Sequence, residues 1–442
     1  MARDATPDGG RAPLGRAPLI AGLALVTVAA GVLRLTALGP VPLDPFYDAA
    51  VRSMSQSLHN FFFGVYEPGG SVAIDKPPID LWLQVISVKL FGFGSVALKL
   101  PQAIAGTLAV PVLYDAVRRV FGDLAGLAAA AVLAVLPIAV LSARSDTMDA
   151  VMMLLSVVAL WLLVRFAGDG RPRFLYLAAA VMGLAFDVKL LESFVALPAL
   201  GLLALLAARE GRWRRLAGAA AVYVVVALSW LLAVLAVGGA PYAIGSTNGS
   251  AWNAAFVFNG YDRIAKPATS PDLSGTDTTS AQRKPAGNTE VQRAAVPIGT
   301  PSVLRLFDHD GPLSGLRLGY VLLAALLLGV PALVLGLARP PGWAPERAAA
   351  AALLLWLATG VVLFSAMARL HPRYTEGFTP AVAAAAGIGL AWAIRSRQAG
   401  ARAVAAVAAV GLAAYGHHLL GGASTVWLIS GAAAAVALAA AA

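Results

Sequence analysis

Apolar runs long enough to cross a bilayer recur along the whole chain, and that repetition constrains the fold more than any motif. Crossing the hydrocarbon core takes ~20 residues of helix. Runs of this kind fall near residues 17–38, 98–117, 124–142, 150–166, 174–188, 190–208, 216–237, 316–338, 348–368, 377–394, 402–420 and 424–441. The reading is an all-α polytopic membrane protein of about 11–12 spans. Only 13% of residues are charged, against roughly 25% in soluble domains, and mean hydropathy is +0.76. The net charge of +10 does not indicate nucleic acid, because the basic residues sit in short connections and form no patch with interleaved aromatics. There is no cysteine, which excludes disulfides, thiolate metal sites and cysteine nucleophiles. Arg11 and Arg16 precede the first apolar run and no clear cleavage site follows it, so it reads as a membrane helix and not a cleaved leader. The last run is alanine-rich and the sequence stops inside it, as expected if a natural C-terminal region is missing.

Orientation follows from Lys and Arg in short loops. A cytoplasmic N-terminus puts Arg118, Arg119, Arg165, Arg171, Arg173, Arg209, Arg212, Arg214, Arg215, Arg339, Arg347, Arg395, Arg397 and Arg402 inside. It leaves Arg144, Lys189, Arg369 and Arg373 in the short outer connections. Two long segments, 39–97 and 238–315, then lie outside. The first holds two amphipathic stretches, 45–63 and 79–93, whose aromatics suit interfacial helices. The second opens with an aromatic stretch, Trp252 to Tyr261, and becomes a polar Ser/Thr/Pro/Ala-rich segment over 266–300, expected to be flexible. The whole chain reads as one integral membrane domain.

The outer helix ends collect charges: Asp44 and Asp48, Asp75 and Lys76, Arg144, Asp146 and Asp149, Asp187, Lys189 and Glu192, then Arg369, His371, Arg373 and Glu376. An ionisable group deep in a membrane helix costs ~2.5–3.5 kcal/mol. Groups at the interface cost less, so their concentration at one face is the signal. Asp187 and Glu192 read as solvated helix ends. Asp146 and Asp149, three apart, share a helix face or its first turn, with Asp146 also suited to N-capping. Pro77 and Pro78 fix where Lys76 projects, which suits a ligand-binding cation. His371-Pro372-Arg373-Tyr374 suits an interfacial anchor as well as a site. Carboxylates can take a proton from an attacking group, and cations can hold a departing phosphate. Together they describe group transfer from a phosphorylated donor. On the outer face, away from nucleotide sugars, that donor would be a membrane lipid. A transporter or flippase would instead want charges at the bilayer centre, broken helices and an internal repeat, and a non-catalytic lipid-sugar binder would keep the site without the chemistry. No metal is required; a divalent ion is chemically compatible with the carboxylates, but their spacing does not specify one.

Several segments resemble bacterial membrane glycosyltransferases of the GT-C fold, glycosyltransferase family 39, the protein O-mannosyltransferase and aminoarabinose transferase type. Asp75-Lys-Pro-Pro-Ile-Asp-Leu-Trp-Leu-Gln84 is similar to the family's (D/E)KPPL..W motif. Asp44-Pro-Phe-Tyr47 resembles the acidic motif after the first span, and Arg144 to Asp149 the second acidic motif. Leu90-Phe-Gly-Phe-Gly94 with Leu100-Pro101, Arg119 to Gly122, Val188-Lys189 and His371-Pro-Arg-Tyr374 resemble further family segments, so the likeness runs from about 30 to 395. The resemblance implies inverting transfer of a sugar from a polyprenyl-phosphate donor to a protein, cell-wall glycan or lipid acceptor. It implies Asp44 as general base, Asp149 positioning acceptor or base, Lys76 and Lys189 on the donor phosphate, and His371 and Arg373 as further donor contacts. The family often has two adjacent acids where Pro45 follows Asp44 here, which leaves Asp48 or Asp149 as substitutes for the base.

Overall fold

The protein is seen as a computed structural model that describes residues 15–262, 301–308, 315–338, 344–367, 370–396 and 398–420, with isolated positions beyond 424. The segment 266–300, Arg369 and nearly all of the run 424–441 lie outside the described residues.

The architecture is all-α, as the periodic apolar runs require. Among the described residues, eight helices are long and apolar enough to cross a membrane, and two bent pairs raise the number to ten. The chain opens with α1 (Arg16–Leu35), then α2 (Pro45–Met54) and α3 (Leu58–Phe63). A two-residue strand, β1 (Val72–Ala73), precedes α4 (Ile79–Phe91) and the long α5 (Ser95–Phe121). Three runs read as single spans are broken, 216–237 among them. The run 124–142 is broken into α6 (Asp123–Val135) and α7 (Pro137–Ala143), bent by 59°. Pro137 has no N–H to continue the ladder, and the Arg34 guanidinium donates to Leu133 O (3.0 Å) and Ala134 O (2.8 Å), satisfying the carbonyls the break frees. The run 190–208 is not one span either. It is a 3-10 turn, Leu190–Val195, followed by α10 (Leu197–Ala207), which at 1.5 Å per residue is roughly 16 Å long.

Helix α8 (Asp149–Asp169) pairs with α9 (Pro172–Lys189), and α11 (Arg212–Ala227) bends by 48° into α12 (Ser229–Val237). The helix Thr379–Arg395 runs through the centre and is almost wholly buried. Its sequence is mostly Ala and Gly, which lets neighbouring backbones approach closely. A Cβ on Gly387 would overlap the backbone nitrogen of Ala129 in α6.

The interfacial stretches expected over 45–63 and 79–93 are α2, α3 and α4. They pack inward through Phe46, Tyr47, Met54, Leu81 and Val85 and expose Leu58, Ile86, Leu90 and Phe91. A second strand, β2 (Tyr242–Ala243), pairs in parallel with β1 in the register Val72↔Tyr242 and Ala73↔Ala243. This small sheet ties the two long loops together at one end of the bundle. Beyond it, the expected aromatic stretch forms a helical turn at Ala251–Asn253 and a π-helix at Ala254–Tyr261.

Candidate active site

Asp44 starts the site. It N-caps α2 by accepting from Phe46 N (3.1 Å), with Pro45 at the first helical position, where the missing N–H costs nothing. Its own backbone N donates to both carboxylate oxygens of Asp146 (3.1 and 3.0 Å). The turn before α8 therefore fixes where α2 begins. The second Asp44 oxygen, Oδ2, lies 3.5 Å from Arg373 Nη1. Arg373 comes from the 3-10 turn Pro372–Phe378, more than three hundred residues along the chain.

Lys76 projects from the segment between β1 and α4. Its Nζ is 3.1 Å from Tyr47 Oη and 3.4 Å from Asp75 Oδ1. Burial works against the Lys76 charge, but Asp75 and then Tyr47 outweigh it and the pKa is raised. Burial raises the Tyr47 phenol, with Lys76 and Arg373 opposing, so Tyr47 stays protonated and can donate.

Lys189 ends α9. It is ion-paired with Asp149, the first residue of α8, and with Glu192, 3.0 Å away. Its Nζ also sits 4.8 Å from the centre of the Tyr374 ring. The α-helix stops at Leu190, which takes φ 46° and ψ −134°. A non-glycine residue there stores ~1–3 kcal/mol of strain, and Lys189 and Glu192, on either side of it, both line the cleft.

Tyr47, Lys76, Lys189, Glu192, Arg373 and Tyr374 line one cleft, faced by an apolar wall of Leu363, Phe364 and Met367 and joined by Asn259 from the π-helix. Of the residues singled out in the sequence, Lys76, Lys189, Glu192 and Arg373 line this cleft, and Asp44 lies just outside the lining, against Arg373. Asp149 stands behind Lys189, fully buried. Asp146 is placed under the Asp44 backbone and N-caps nothing; the residue before α8 is Met148. Burial, then the Asp44 charge, pushes the Asp146 carboxyl up to about 7. Asp48, one turn along α2, has a buried Oδ1 and lies outside the cleft lining. His371 packs edge-on against Tyr374, ring centres 5.1 Å apart, also outside the lining. Arg144 donates to Leu33, Thr36 and Ala37 carbonyls and so caps the end of α1. Asp187 turns away from the cleft toward Ser229. Among the described residues, no group of three or more His, Asp or Glu is arranged to hold a metal ion.

Behind the cleft is a network that sequence reasoning missed. Asp80 accepts from Gln84 Nε2 (2.9 Å) and Gln102 Nε2 (2.6 Å). Gln84 also donates to Asp146 O (2.8 Å), and Gln102 Oε1 accepts from Val151 N (3.2 Å). Burial raises the Asp80 carboxyl to about 6 against these hydrogen bonds. The i,i+4 spacing of Asp80 and Gln84 was visible in the sequence; the partners on α5 and α8 were not. Lys99 was missed too. It binds Leu38 O (3.0 Å), Val41 O and Ser95 Oγ, pinning the segment that leads from α1 to Asp44.

The fold is shared with proteins of known structure. ArnT from Cupriavidus metallidurans, solved bound to undecaprenyl phosphate, superposes with a TM-score of 0.57 at 18% identity, over 96% of this chain and 69% of that one. The oligosaccharyltransferase of Archaeoglobus fulgidus gives 0.52 at 17% identity, over 96% of this chain and 55% of that one. Residues 75–237 match the family described as dolichyl-phosphate-mannose-protein mannosyltransferase. The chain is a GT-C fold protein, similar to glycosyltransferase family 39. Two proteins of Bacillus subtilis (strain 168), provisionally named mannosyltransferases, are also similar. YkcB is 34% identical over 255 residues, 54% of this chain and 36% of that protein. YycA is 36% identical over 226 residues, 50% of this chain and 33% of that protein. The chain thus spans about a third of the length of the curated relatives it matches. The matched family segment opens at Asp75-Lys76 and ends with α12, so in this GT-C protein it includes Lys76, Asp149 and Lys189 but neither Asp44 nor Arg373.

Proposed function

We propose that this chain, acting as one integral membrane domain, transfers a sugar from a polyprenyl-phosphate-linked donor to an acceptor. The transfer takes place at the non-cytoplasmic face of the cytoplasmic membrane, with the N-terminus inside and inversion at the anomeric carbon. The observation that carries this reading is the convergence of Asp44 Oδ2 with Arg373 beside a cleft that also holds Lys76 and Lys189. In the proposed step Asp44 takes the proton from the acceptor as it attacks the anomeric carbon, and the bond from that carbon to the phosphate oxygen breaks. Lys76, Lys189 and Arg373 hold the charge that develops on the departing polyprenyl phosphate. Inversion follows in this reading if the acceptor attacks the face of the anomeric carbon away from the phosphate, with Arg373 bridging base and phosphate. Asp149 positions Lys189, and Asp146 positions Asp44. The donor class is supported by the lipid phosphate named with ArnT and the mannosyl donor named for the family. The acceptor is a protein, a cell-wall glycan or another lipid. No proposed step uses a metal ion.

The test is donor turnover. Purified protein is given polyprenyl-phosphate hexoses with membrane extract as acceptor source, and released polyprenyl phosphate is measured by mass spectrometry. Release by wild type, lost in Asp44→Asn and Lys76→Ala, is expected. Movement of the donor across proteoliposomes without bond cleavage would overturn the reading. The chain has no cysteine, so orientation can be read directly. Ser71→Cys should label with an impermeant maleimide from outside, and Trp213→Cys only after permeabilisation.

A further inference from the structure

We propose that Asn259 determines which sugar the cleft accepts, by accepting a hydrogen bond from a hydroxyl on the transferred glycosyl group. This rests on the glycosyl-transfer reading above. The side chain reaches the cleft from the second long loop, by way of the β1–β2 pairing and the π-helix Ala254–Tyr261. A π-turn adds a residue to the helical repeat and re-aims the side chains that follow, a feature that recurs at functional sites.

The amide is oriented by its own hydrogen bonds. Asn259 Nδ2 donates to Asp75 O (2.7 Å) and Ala254 O (3.1 Å). Both acceptors are backbone carbonyls, so the nitrogen must face them and the oxygen must face away. Both amide hydrogens are thereby used, and no described residue donates to Oδ1. What remains in the cleft is a fixed acceptor with no donor of its own, the complement of a sugar hydroxyl.

Its place along the donor follows from chain connectivity. The carbonyl that holds it belongs to Asp75, the residue bonded to Lys76. Asn259 and Lys76 line the same cleft, so the amide is assigned to the sugar hydroxyl nearest the phosphate, on the carbon next to the anomeric centre. The next residue, Gly260, lets the segment close on the opposite wall: a Cβ there would lie 2.7 Å from Leu191 Cδ1. Of the cleft lining, Lys76, Lys189, Arg373 and Glu192 are charged and Tyr47 and Tyr374 are phenols; Asn259 is the neutral amide.

The experiment compares polyprenyl-phosphate mannose, its 2-epimer and the 2-deoxy donor on wild type, Asn259→Ala and Asn259→Leu. Undecaprenyl phosphate binding and thermal unfolding are measured in parallel. Wild type should favour one of the epimers, and both variants should lose that preference by about tenfold in the ratio of kcat/KM values, with lipid phosphate binding kept. A side chain that served only as a latch for the second loop would lower all donors together and leave the ratio unchanged, which overturns the inference while the transfer reading stands. Absence of turnover by wild type with every donor overturns both.

Discussion

The two ends of the bundle handle charge in opposite ways. At the end away from the cleft, Asp115 on α5 pairs with Arg118 (2.6 Å) and Arg119 (2.5 Å), three and four residues on, all partly exposed to solvent. At the cleft end, beside the local pairs Lys76–Asp75 and Lys189–Glu192, two pairs join distant parts of the chain: Asp44 to Arg373 and Asp149 to Lys189, with Lys189 and Asp149 nearly or fully buried. Exposed i,i+4 pairs contribute about 0.3–0.5 kcal/mol. Removing one member of a buried pair costs ~3–5 kcal/mol, because the other is left desolvated and alone. The first arrangement secures a helix end; the second fits the charged donor proposed for the cleft.

Lys189→Met should break this contrast most strongly. It leaves Asp149 buried without its partner, so a loss of ~3–5 kcal/mol is expected in unfolding of the detergent-solubilised protein. The double variant Lys189→Met, Asp149→Leu should recover most of the stability and none of the turnover. Next comes Asp44→Asn. Asparagine still caps α2, so the fold should persist while turnover falls ~10²–10⁴-fold, measured as released polyprenyl phosphate. An unchanged rate would move the base to Asp48 or Asp149.

Asp146→Asn should sharpen the comparison through pH. The folded protein holds this carboxyl at about 7, above its usual value of 3.8. Between these values the folded state keeps a proton the unfolded chain has lost, so stability falls as pH rises through the window. The neutral asparagine should flatten that profile and unfold at a higher temperature than wild type above pH 7. Thermal scans from pH 4 to 8 check it. Smallest of all should be Arg119→Ala at the far end, with under ~0.5 kcal/mol lost and turnover unchanged.

Three structural cations were invisible as such in the sequence for one reason. Arg34, Lys99 and Arg144 are plain basic residues near helix ends, yet each donates to backbone carbonyls freed where a helix stops or the chain turns. In lipid such carbonyls have no water to accept from. Which cation serves them depends on which helices become neighbours. The same holds for Asp146, whose spacing from Asp149 suggested a shared helix face or an N-cap and whose carboxylate accepts from the Asp44 backbone at the start of α2.

Periodicity and composition determined that the chain is a helical membrane protein, because an apolar run of bilayer length can satisfy its backbone in lipid only as a helix. The loop charges and motifs, read along the chain alone, also single out Asp44, Asp48, Asp146 and Asp149, and Lys76, Lys189, His371 and Arg373. Only the tertiary structure decided which charges face the cleft and which secure helix ends. It placed Arg373 against Asp44 and Asn259 against Asp75, and it broke three apolar runs into bent or short pieces. Those outcomes depend on contacts between residues far apart in the chain, and the close packing that sets them leaves no period in the sequence to read.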